Sequence, residues 1–71
     1  MNELNPGVDF VIPETAGSPT PDGFTRYTYL VFSKTDGRFL YESPIFCKDW
    51  STFYAWKMWA TENDNNYYYE M

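Results

Sequence analysis

Seventy-one residues with one cysteine, no histidine and a formal net charge of −5 exclude several function classes at the outset. An intramolecular disulfide is impossible, a metal centre would have only scattered carboxylates, and an acidic chain is a poor phosphate-tracking surface, so no cofactor and no direct nucleic-acid binding are expected. A chain this short buries only about 60% of its unfolded surface, and its 23% aromatic residues are the available compensation, because each ring buries a large area with few rotors to freeze.

Taken in order, residues 1–23 read as an extended Pro/Gly-rich arm, and residues 24–71 as a small α+β domain. The arm holds every proline except Pro44, and these interrupt any regular pattern. Within it Val8 to Ile12 has strand character and ends where Pro13 removes a backbone donor, so it could add to a sheet edge. Glu14 to Gly23 is all turn formers and small polar residues, a loop. Phe10 and Ile12 read either as a docking peptide for another protein or, the favoured reading, as cover for the domain's own core.

Arg26 to Phe46 is the organising element, a central β-hairpin whose apolar residues alternate on either side of the Asp36-Gly37 turn signal. A two-residue type I′ loop would pair Thr35 with Arg38 and Phe32 with Tyr41. That register gathers Leu30, Phe32, Phe39, Tyr41 and Ile45 on one face, with Tyr27, Tyr29, Val31, Leu40 and Glu42 on the other. A three-residue loop, Thr35-Asp36-Gly37, slips the pairing by one and sets Lys34 opposite Arg38. Opposed like charges are unfavourable, so the two-residue loop is preferred. Pro44 marks an edge or a bulge in the second strand.

Asp49 is a good N-cap, able to accept from the amides of Ser51 or Thr52, and a helix is predicted from about Trp50 to about Glu62. Trp50, Phe53, Trp56 and Ala60 fall on one side of it, while Tyr54, Ala55, Met58 and Trp59 fall on the flanks or far side. A helix that is apolar most of the way round needs cover on both sides, and a domain this small offers one layer. Either the arm wraps the far side or another protein does. Tyr67-Tyr68-Tyr69-Glu70 suits a third strand at the sheet edge.

Catalytic equipment is missing from the sequence. With no histidine, Cys47 has no such base to generate a thiolate, and it reads as a small buried residue. Asp49 is accounted for as a cap, Glu42 as a solvated strand residue, and Gly37 as a turn residue rather than part of a phosphate loop. The expectation is therefore a non-enzymatic protein that binds another protein through aromatic side chains. Its candidate anchors are Tyr54, Met58, Trp59, Tyr67, Tyr68 and Tyr69, with Glu62, Asp64 and Glu70 as an acidic rim.

In size, acidity and lack of catalytic equipment the chain is similar in type to small bacteriophage-encoded proteins that inhibit a host enzyme, although no motif carries that likeness to a family. Mimicry of nucleic acid would need more carboxylates, less interleaved with aromatics. The alternative is a structural or decoration subunit whose arm contacts a neighbour, a homo-oligomer included. No apolar run approaches the ~20 residues that span a bilayer, and the start lacks a basic secretion signal, so a soluble cytoplasmic protein with no membrane partner is expected.

Overall fold

The structure is a computed structural model that describes residues 4–15 and 17–71. Its elements are β1 (Phe10–Val11), β2 (Thr25–Ser33), β3 (Phe39–Cys47), α1 (Trp50–Asn63) and β4 (Asn66–Glu70). The strands form one antiparallel sheet in the order β1-β3-β2-β4, with α1 on one face. This is the small α+β architecture predicted, with the hairpin at its centre and the tyrosine-rich segment as an edge strand.

The hairpin differs from the preferred reading in its loop. Ser33 donates its amide to the Arg38 carbonyl at 2.9 Å, and Gly37 donates back to the Ser33 carbonyl at 2.8 Å. The loop is thus the four residues Lys34 to Gly37, and Gly37 closes it at φ +71°, a conformation that costs glycine nothing sterically. Phe32 pairs with Phe39, a register shift follows, and Val31 then pairs with Tyr41 and Leu30 with Glu42.

Through most of its length the hairpin therefore has the slipped register. The like-charge argument against that register fails because Lys34 and Arg38 never oppose each other. Lys34 turns to α1, where its ammonium donates to the Thr61 carbonyl and lies over the Tyr67 ring, while Arg38 pairs with Asp36. A slip of one residue reverses the facing of a strand. Tyr41 and Ile45 accordingly join Tyr27, Tyr29 and Val31 on the helix side, whereas Leu30, Phe32, Phe39 and Glu42 share the opposite face.

Asp49 caps α1 as expected, its Oδ1 accepting from the Thr52 amide at 2.8 Å. Phe53, Trp56 and Ala60 are buried, and they pack with Phe10, Tyr29, Val31, Ile45, Cys47 and Tyr68 in one core. Rings dominate the contacts. Tyr27 stacks on Phe53 at 4.8 Å and 5°, and Trp56 meets Tyr29 at 4.8 Å and Tyr68 at 5.4 Å in tilted and edge-on geometry, the arrangements that the ring quadrupole favours. Trp50 departs from its predicted place. It is half exposed, stacks on Tyr54 at 5.2 Å, and donates its indole N–H to Glu70.

The sheet edges are partly blunted by identifiable devices. On β4 the outward amide of Tyr68 donates to the Thr61 hydroxyl, so the helix caps that edge. On β3 the amide of Lys48 donates to the Asp9 carbonyl, and by ladder alternation Phe46, Pro44 and Glu42 turn the same way. Beyond Val11 the continuing pair would set Pro13 against Pro44, neither with an N–H to give. Pairing of β1 stops there, which leaves the outer side of β3 around Glu42 unpaired.

Candidate functional site

No helix among the described residues is long and apolar enough to cross a membrane. Among the described residues no three His, Cys, Asp or Glu side chains come together as metal ligands. Cys47 is fully buried, and burial, then the nearby Asp49 charge, push its thiol up to about 12, which disfavours the thiolate at neutral pH. What the surface offers is aromatic. The six anchors expected from sequence divide between two sites on opposite flanks of α1, and one of them is interior.

The first site is a ridge. Trp50, Tyr54 and Met58 recur every four residues, so they form one stripe along α1, away from the core stripe of Phe53, Trp56 and Ala60. Tyr54 and Met58 are 44% and 49% exposed. Beside them Tyr67 and Tyr69 project from β4, and a groove of about 210 Å³ runs between strand and helix, floored in part by Tyr68. Tyr67 pairs with Phe32 and Tyr69 with Leu30, which places both tyrosines on the sheet face away from the helix. Tyr69 meets Phe32 edge-on at 5.5 Å, and Phe32 meets Phe39 likewise. The aromatic surface thus turns the corner of β4, from α1 to the outer face of the sheet.

The charges around the ridge are not the expected rim. Glu70 stands at one end, held by Trp50, and Glu62 is exposed on α1. Asp64, however, faces the other flank of the helix. The groove itself is flanked by cations, Lys57 over the Tyr54 ring at 5.0 Å and Lys34 over the Tyr67 ring at 5.7 Å.

Tyr68 is only 9% exposed. Its hydroxyl donates to Asp64 at 2.6 Å, and burial, with that bond and the Asp64 charge adding to it, pushes its phenol up to about 12. Alternation along β4 explains the difference among the three tyrosines, since 67 and 69 share one face and 68 takes the other. A run of three identical residues in the sequence gives no sign of which face is inner.

The second site is a cleft of about 630 Å³ between α1 and the arm. Trp59, the remaining predicted anchor, lines it at 39% exposure. Tyr29 and Tyr41, which sequence reasoning did not place in a site, line it too, as does Phe10, read from sequence as a docking peptide or as cover for the core. For Tyr41 the signal lay in the hairpin register, because the slipped pairing is what turns it to the helix side. Phe10 packs on Trp56 at 6.1 Å, so this part of the arm covers the chain's own sheet, while Ile12 is exposed at the cleft's margin.

Comparison with protein-family models, with curated proteins and with solved structures returned no match, so the functional reading rests on the chain's own surface.

Proposed function

We propose that this chain is a non-enzymatic protein-binding module, a small acidic inhibitor or modulator of another protein, acting through the ridge of Trp50, Tyr54, Met58, Tyr67 and Tyr69. The observation that carries the reading is that α1 presents a half-exposed apolar stripe to solvent on the flank beside the stripe it gives to the core. Tyr, Trp and Met are the residue types enriched where a few anchors supply most of the binding energy, and contiguous aromatic surface on a small domain marks an interaction site. The absence of histidine and the buried, protonated thiol of Cys47 support a binding rather than a catalytic role.

Immobilised chain and its Tyr54→Ser/Met58→Ser variant should be exposed side by side to lysate of the natural host. The reading expects a protein retained stoichiometrically by the first and lost by the second. Retention of the same proteins by both, or of none by either, would overturn it.

A further inference from the structure

The cleft on the other flank of α1 has a chemistry unlike that of the ridge. Its floor is Tyr29, Tyr41 and Tyr68, its helix wall carries Trp56 and Trp59, and the arm closes the far side. Among the described residues lining it Asp64 is the only charged one. No cation lies within ion-pair distance of that carboxylate among the described residues, since the ion pairs there are Arg38 with Asp36 and Lys48 with Asp9. Phenols that remain neutral supply ring faces and no compensating charge.

We infer that this cleft receives an arginine side chain from an extended segment of a partner protein, the guanidinium stacking between Trp59 and Tyr41 with Asp64 as its counter-charge. Trp59 and Tyr41 are 39% and 48% exposed, so ring surface is open for stacking. A planar guanidinium uses both elements at once, ring faces by cation–π contact and the carboxylate by charge-assisted hydrogen bonds. A sugar, the other common occupant of aromatic clefts, needs several unengaged polar side chains. Here the Tyr68 hydroxyl is committed to Asp64, and the described lining includes no Asn, Gln, Ser, Thr, Lys or Arg.

That the arginine belongs to a protein segment follows from the sheet edge. The lane beside β3 is filled by β1 only opposite Phe46 and Cys47. Among the described residues no strand pairs with β3 past Val11, so an extended segment laid alongside Glu42 can direct a side chain into the cleft. The inference stands apart from the ridge, whose contact residues differ although Tyr68 lies beneath both, and each can fail alone.

The test is an NMR titration of the ¹⁵N-labelled chain at low salt with acetyl-Val-Thr-Arg-Val-Thr-amide, with the same peptide carrying citrulline, and with acetyl-arginine amide. Saturable shifts are expected at the Trp59 indole N–H, Tyr41 and Asp64 with the arginine peptide alone. Binding should weaken about tenfold in Asp64→Asn, which keeps an acceptor for Tyr68, and similarly in Trp59→Leu, a change at a partly exposed position. A Tyr54→Ser/Met58→Ser chain should bind the peptide as the parent does. Equal binding of the citrulline peptide would exclude charge recognition, and equal binding of acetyl-arginine amide would exclude a protein segment. Shifts centred away from the cleft, or no saturable shift even at high peptide concentration, would also overturn the assignment.

Discussion

Phe53 and Phe32 are both strand- or helix-borne phenylalanines in apolar runs, and sequence alone assigns them the same cost on truncation. The structure separates them. Phe53 is 1% exposed, stacked on Tyr27 and 6.5 Å from Trp56, with the sheet beneath it. Phe53→Ala removes the ring's transfer free energy and leaves a cavity that these neighbours cannot close, a loss of about 3 to 5 kcal/mol. Phe32 lies on the outer face of the sheet, partly exposed, touching Phe39 and Tyr69, which are themselves half in solvent. Its truncation forfeits part of the burial and opens no enclosed void, about 1 to 2 kcal/mol.

Against a total stability at the low end of roughly 5 to 15 kcal/mol, the first variant is close to unfolded at 37 °C and the second is folded. Urea titration followed by tryptophan fluorescence and far-ultraviolet circular dichroism measures both. Equal losses in the two variants, or a loss below about 1 kcal/mol for Phe53→Ala, would refute the assignment of the inner and outer faces.

Four further outcomes follow from local geometry. Gly37→Ala should cost about 1 kcal/mol or a little more through its positive φ alone, because no atom lies within 4 Å of the added carbon; a neutral substitution would mean the loop is not closed by Gly37. The Asp49 carboxyl is held below its ordinary value of 3.8, chiefly by the hydrogen bond from Thr52. Its contribution is therefore present above that value and lost as pH falls through the lower folded value. The acid-side stability slope should shrink in Asp49→Asn, and an unchanged slope would contradict the cap.

The phenols of Tyr29 and Tyr68 are both raised from their ordinary value of 10.0, mainly by burial. Stability they confer is complete below pH 10 and lost as pH climbs toward the folded value, about 12 for Tyr68. Absorbance titration should show two phenols ionising above their ordinary value, and Tyr68→Phe should remove one of them. Cys47 should react with a thiol reagent only after unfolding; prompt reaction in the folded chain would contradict its burial.

The elements themselves were legible in the sequence because each carries its own local physics. Alternation announced β2 and β3, Asp49 announced the start of α1, and a β-prone tyrosine run announced β4. The hairpin register was not legible. It depends on a four-residue loop whose competing arrangement was judged by a charge repulsion that vanishes once Lys34 reaches α1, a contact 27 residues distant. That single slip hid the cleft, since it decides whether Tyr41 faces the helix. Trp50 was misplaced for a related reason. Helical spacing groups it with Phe53, but the acceptor for its indole N–H is Glu70, on an edge strand that spacing within the helix cannot reveal. The division of Tyr54 and Met58 from Trp59, on opposite flanks of one helix, likewise requires the sheet's position to be known.

The claim on which the account turns is that the Trp50, Tyr54 and Met58 stripe serves binding and not folding. The direct measurement is the unfolding free energy of Tyr54→Ser/Met58→Ser beside that of the parent chain. Both side chains are about half exposed, so the account predicts a difference within about 1 kcal/mol, two surface substitutions of ordinary size. A loss of about 3 kcal/mol or more would place the far side of α1 in the chain's own core and contradict the ridge as a surface kept for another protein.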